Sequence, residues 1–202
     1  SQPLGNAVGH SLELIESVEV LKGKGPKDLV ELSISLAGAM IHLGGQASSF
    51  HAGKSLAKKL IQNGSALKKF SDVIKYQDGN PAFIKDYTLL PTAKYQHVVK
   101  SPLSGWISKL NNKAIGLSCI SIGGGRRIKS DPIDYAVGYY FHKKVGEKVS
   151  KNTPLVTIHH NEKNAEKILK LEQKFLKEIF VLGKTKPKNQ ESLISMEQSH
   201  WS

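Results

Sequence analysis

Apolar residues in the first 85 positions recur at helical spacing, and those after position 91 alternate. Residues 10–21 (HSLELIESVEVL) read as a helix through Leu12, Ile15, Glu16 and Glu19, stopped by Gly23 and Gly25-Pro26. A second helix starts at Pro26-Lys27-Asp28 and runs to Gly44-Gly45, with Leu29, Leu32, Leu36 and Met40 on one expected face. Its small residues Ala37, Gly38 and Ala39 predict close packing against a neighbour. Residues 51–62 form a third helix, amphipathic through Leu56, Leu60 and Ile61, and Asn63-Gly64 supplies a left-handed stop. Residues 65–77 form a fourth, with Ser65 as the expected N-cap. A turn at Asp78-Gly79-Asn80-Pro81 and a short helix around 81–85 follow.

Beyond Pro91 the period changes to two. Strands are expected at 94–100, 105–110, 135–142 and 154–159, with a tight hairpin over Val145–Val149. Residues 162–182 return to helical spacing through Ile168, Leu171, Phe175, Ile179 and Leu182, and 184–202 read as a polar, flexible tail. The expected fold is α+β: a helical segment, a small β-rich module like a barrel-sandwich hybrid, then a helix and tail. The expected boundaries are 1–86, 87–160 and 161–202. The two hairpin-like strings, 101–110 and 142–159, look like those of biotinyl and lipoyl carriers. The turns between them lack the exposed lysine flanked by Met or Asp that a swinging arm uses.

Composition narrows the function classes. The 202 residues include 39% hydrophobic side chains, enough for a real core. No apolar run reaches the roughly 20 residues of a membrane span, and the opening Ser-Gln-Pro-Leu-Gly lacks the basic and apolar regions of a signal peptide. A single cysteine, Cys119, excludes a disulfide framework and a cysteine-built zinc site. The expected location is the cytoplasm. Net charge is +12, and 18 of the 29 basic but only 6 of the 17 acidic residues fall in 50–160. These lysines stand singly or in pairs without interleaved aromatics, so a nucleic-acid platform is disfavoured.

Candidate chemistry is sparse when read residue by residue. Gly123-Gly124-Gly125-Arg126-Arg127 would suit an anion, but it lacks the Gly-Lys-Ser/Thr ending of a phosphate loop and reads better as a glycine-rich turn. The eight histidines are dispersed, with no metal-ligand spacing. Cys119 lies in the apolar stretch LSCISI and reads as a core residue.

Whole strings say more. Residues 2–32 open with Gln-Pro-Leu-Gly and Ala-x-Gly. Residues 123–159 carry the Gly-rich turn with Arg126, then Asp131, Ile133-Asp134, Ala136-Val137-Gly138 and His142-Lys143-Lys144-x-Gly146. Gly64-x-Ala66-Leu67-x-x-Phe70 and Leu90-Pro91 lie between them in order. In these strings the chain resembles the C-terminal half of thymidine and pyrimidine-nucleoside phosphorylases over about residues 2–160. The resemblance implies reversible phosphorolysis of thymidine, deoxyuridine or uridine to free base and (deoxy)ribose 1-phosphate, in a cytoplasmic homodimer of nucleoside salvage.

It also implies that the phosphate loop, the residues holding the pyrimidine and the dimer helices lie upstream of residue 2. No catalytic or substrate-binding residue is then expected in this chain, and Ser1 in place of Met agrees with a missing upstream part. One family site carries over. A monovalent cation, usually K⁺, is expected on the carbonyls of Leu4 and Ala7 and the carboxylate of Glu16, with the remaining ligands on the missing loop. Cation affinity here is therefore expected to be weak. Two departures are visible: Gly124 where the family usually has Ala, and Asn152 where Gly is common, a position at which Asn tolerates the same left-handed backbone. A non-catalytic remnant and an anion- or RNA-binding module stay open as alternatives.

Overall fold

A computed structural model describes residues 2–188. The chain forms two compact units. One comprises residues 2–14 and 90–188, the other Ile15–Leu89.

The helical unit contains most of α1 (His10–Leu21), α2 (Lys27–Leu43), α3 (Phe50–Gln62), α4 (Ser65–Tyr76) and two short 3₁₀ turns at Pro81–Ile84 and Tyr87–Leu89. Ser49 caps α3 by accepting from the Ala52 amide. Gly64, at φ +77°, ends α3 in the expected left-handed conformation. It is also the cap residue of α4, so Ser65 is the first helical residue rather than the cap.

The predicted close packing of α2 is present, and it reverses the expected face. A Cβ on Gly53 of α3 would lie 2.2 Å from the Gly38 carbonyl oxygen, and one on Gly38 would lie 2.7 Å from the Lys54 amide nitrogen. The two backbones therefore touch, which only glycine allows. Ser35 and Gly38 are the buried residues of α2. Residues two positions away point about 200° around the helix, which leaves Leu36 and Met40 57% and 73% exposed. Ile34, Ala37 and Ile41 line an open apolar cleft of ≈ 390 Å³ together with Leu60 and Phe70, and of the expected face Leu29 joins them. At the other end of this unit the Tyr87 hydroxyl donates to Glu19 at 2.5 Å and accepts from Lys22 at 2.8 Å, tying the last 3₁₀ turn to α1.

The β-rich unit has two antiparallel sheets, neither closed into a barrel. Its strands are β1 (Ala7–Val8), β2 (Tyr95–Lys100), β3 (Gly105–Leu110), β4 (Gly138–Phe141), β5 (Lys148–Val149), β6 (Pro154–His160) and β7 (Phe180–Gly183). One sheet has the order β1-β4-β6-β2 and the other β5-β3-β7. The α+β class is as expected, but three local expectations change. The stretch 145–149 is not a hairpin, because β4 before it and β5 at its end belong to different sheets. A helix, α5 (Asn112–Ser121), stands between β3 and β4, capped by Asn111 through the Ala114 amide. The helix expected over 162–182 is α6 (Ala165–Lys174) followed by a π-helical turn, Phe175–Ile179. Phe180, Val181 and Leu182 then leave the helix and pair with β3. β-prone side chains beside a strand with an open edge make pairing the better use of that segment. Of the expected tail, 184–188 are described and 189–202 lie outside the described residues.

The core of this unit is aromatic. Tyr139, Phe141 and Phe175 are at most 1% exposed, and the Tyr139 and Phe175 rings meet edge to face at 4.9 Å. The buried Tyr139 hydroxyl donates to Ser118, which donates in turn to the Ile115 carbonyl. Burial raises the Tyr139 pKa. Cys119 is in this core, as its apolar surroundings suggested, and burial raises its thiol to about 11. Asn152 takes the left-handed conformation at φ +68°, as expected from the position it occupies.

Two outcomes are expected. Gly53→Ala pushes a methyl group into the α2 backbone and lowers stability by about 2 kcal/mol or more, read from the urea midpoint. Cys119, protonated and buried, resists alkylation by iodoacetamide at neutral pH in the folded chain and reacts once urea unfolds it.

Candidate functional site

The N-terminal string and the stretch 123–145 are built as one piece. β1 pairs with β4, with Ala7 opposite Tyr140 and Val8 opposite Tyr139. Just past this pairing the backbones close in further. A Cβ on Gly9, whose φ is +125°, would lie 2.6 Å from the Val137 carbonyl oxygen, and one on Gly138 would lie 2.2 Å from that of Val8. The two Ala-Val-Gly strings thus meet glycine to glycine.

The turn before β1 is held just as tightly. The Gln2 side-chain oxygen accepts from the Val145 amide at 2.8 Å. The Gly5 carbonyl accepts from the Lys144 ammonium at 2.7 Å, and the Asn6 carbonyl from the Phe141 amide at 2.7 Å. Gly5 has φ +68°. On the other side of β1 the Gly9 amide donates to Glu13, and the Ser11 amide to the Tyr135 carbonyl. The His10 ring lies edge-on to Tyr135, with Nε2 3.2 Å from the Gly124 carbonyl oxygen.

The Gly-rich turn is closed by carboxylates of its own chain. Asp131 accepts from the amides of Arg127 and Ile128 at 2.9 and 3.1 Å. Asp134 donates its amide to the Gly123 carbonyl, and its side chain accepts from Ala136 and Asn161. The amides that a bound anion would need at residues 127 and 128 are engaged, which fits a structural turn. Arg126 and Arg127 are exposed.

Leu4 lies in the exposed turn and Ala7 is buried in β1, so the two carbonyl ligands that the resemblance implies flank the anchored residues Gly5 and Asn6. Glu16 is a buried carboxylate on α1. Among the described residues no three His, Cys, Asp or Glu side chains come together as a metal cluster. A cation bound here would therefore have at most two such side chains among its ligands, beside backbone carbonyl oxygens, which are hard donors suited to a hard ion. Lys144 lies within the string His142-Lys143-Lys144-x-Gly146, but nothing near it in sequence shows that its ammonium reaches Gly5.

His142 and His159 give this unit its pH response. Nε2 of His142 lies 2.7 Å from the Thr157 hydroxyl, and its pKa is lowered by burial and then by Lys143. Burial lowers His159 as well, assisted by His142 and His160. Each ring binds a proton less readily in the fold than in the unfolded chain, whose histidines take up protons below about pH 6.5. Their stabilising contribution is therefore complete above that pH and is lost as pH falls. The urea midpoint is expected to drop between about pH 7 and pH 5, and His159→Asn to flatten that drop.

Comparison with known proteins agrees with this construction. Residues 106–177 match the family described as Pyrimidine nucleoside phosphorylase C-terminal domain. Over 170 residues the chain is 41% identical to a pyrimidine-nucleoside phosphorylase of Staphylococcus haemolyticus, and over 169 residues 40% identical to that of Bacillus subtilis. Each comparison covers 84% of this chain and 39% of the relative, so the chain spans about two-fifths of the length of the curated relatives it matches. The strings that meet in the β1–β4 clamp are the ones that carry the resemblance, and over 84% of its length the chain is similar to pyrimidine-nucleoside phosphorylases.

Proposed function

We propose that this chain is the C-terminal part of a pyrimidine-nucleoside phosphorylase, with thymidine as the foremost substrate. The observation that carries the reading is identity of 40–41% with proteins of that name over 84% of the chain. The reaction is the reversible attack of phosphate on the anomeric carbon of thymidine or a related nucleoside, giving free base and (deoxy)ribose 1-phosphate. It requires stabilisation of an oxocarbenium-like sugar and a departing pyrimidine anion by fixed donors and cations. This chain is assigned no part of that stabilisation directly, since the groups that hold phosphate and base are expected in the part of the enzyme outside it. The complete enzyme is read as a cytoplasmic homodimer. Among the described residues no helix is long and apolar enough to cross a membrane.

The chain's own contribution is to a monovalent-cation site. The Leu4 and Ala7 carbonyls and the Glu16 carboxylate would hold K⁺, with the remaining ligands supplied from outside this chain. The bound ion would lend the loop a fixed positive charge.

The test is an assay of phosphate-dependent release of thymine from thymidine and uracil from uridine. The 202-residue chain alone is expected to release neither base, and the longer polypeptide that contains it to release both. Turnover by the chain alone, or an inactive longer polypeptide, would overturn the reading.

A further inference from the structure

The geometry points to Lys144 as the positioning residue of the cation turn: its ammonium fixes the Gly5–Asn6 peptide plane, which lies between the Leu4 and Ala7 carbonyls. This rests on the cation reading above. The Gly5 carbonyl and the Asn6 amide share one rigid peptide plane. The 2.7 Å bond from Lys144 Nζ holds that plane through a charge-assisted contact. The Phe141 amide holds the next plane through the Asn6 carbonyl, and Ala7 is set by its pairing with Tyr140. Every plane between the two carbonyl donors is thus fixed from the segment 140–144. What remains free is rotation about Gly5, a residue with no side chain to restrain it.

Of these anchors, Phe141 and Tyr140 act through backbone groups, while Lys144 acts through its side chain. It can therefore be removed without disturbing the ladder. The neighbouring Lys143 provides an internal control. Its ammonium turns to Glu147 at 3.0 Å and makes a partly exposed i,i+4 pair. Two adjacent lysines of equal charge thus do different work, one on the surface and one on the turn.

The experiment is a titration of the full 202-residue chain with thallium(I), a K⁺ surrogate, followed by thallium NMR, alongside amide hydrogen exchange at Gly5, Asn6 and Ala7. Lys144→Met is expected to weaken thallium binding by about 10- to 100-fold, the range typical of lost outer support for a metal ligand, and to speed exchange at those amides. Lys144→Arg restores binding, since a guanidinium also donates to the carbonyl. Lys143→Met binds like the parent chain, although it removes the same charge. Equal binding by the parent chain and Lys144→Met would overturn the inference while leaving the cation reading standing. Exchange at Gly5, Asn6 and Ala7 that is no faster in Lys144→Met than in the parent chain would overturn it as well.

Discussion

The β-rich unit depends on a backbone contact that admits no side chain. Where Gly9 passes Gly138, a single methyl group on either residue would lie inside the van der Waals envelope of the opposite strand. That approach lets a two-residue strand, β1, serve as the edge of a four-stranded sheet. Two residues of pairing are a weak hold alone. The clamp is completed by the Gln2, Gly5 and Asn6 contacts upstream and the Ser11 contact downstream. The N-terminal segment is thereby made part of a domain whose other strands all lie beyond residue 94. If Gly138 could not meet Gly9, the turn carrying the Leu4 and Ala7 carbonyls would have nothing to close against.

Much of the helical unit was legible because its signals are local. The stops at Gly23 and Gly64 and the spacing within α1, α3 and α4 each act over a few residues, and the observed bounds fall within a residue or two of those expected. The orientation of α2 was not legible. Its leucines and Met40 do form a stripe, but contact with α3 is set by the smallest side chains. Two glycines that bring backbones together outweigh a stripe of large residues, and the stripe is turned outward. The same tertiary override explains 180–183. The helical period there is real, yet β3 presents an unpaired edge, and Phe180, Val181 and Leu182 complete it.

At the candidate site, legibility stopped at the distance over which a sequence can be read. Asn152 announced its left-handed backbone because that preference belongs to the residue itself. The role of Asp131 was not visible, although the residues it caps lie only three and four positions earlier, since a Gly-Arg-Arg run draws attention to anions from outside. Lys144 and Gly5 are 139 residues apart, and no local pattern links them. The recognised strings located both partners correctly without showing that they touch.

The β-rich unit is discontinuous in sequence, since its first strand precedes the helical unit and its remaining strands follow it. Residues 15–89 therefore behave, for the clamp, as the contents of a long loop between Gly9 and Gly138. The entropy of closing such a loop grows only with the logarithm of its length, about 0.6 kcal/mol for each doubling. The intervening helices can lengthen or shorten by tens of residues with almost no effect on the closure of β1 onto β4. A single atom added at the glycine crossing has no such latitude. Evolution of this chain is thus free in the size of what lies between the two Ala-Val-Gly strings and tightly bound at the point where they cross.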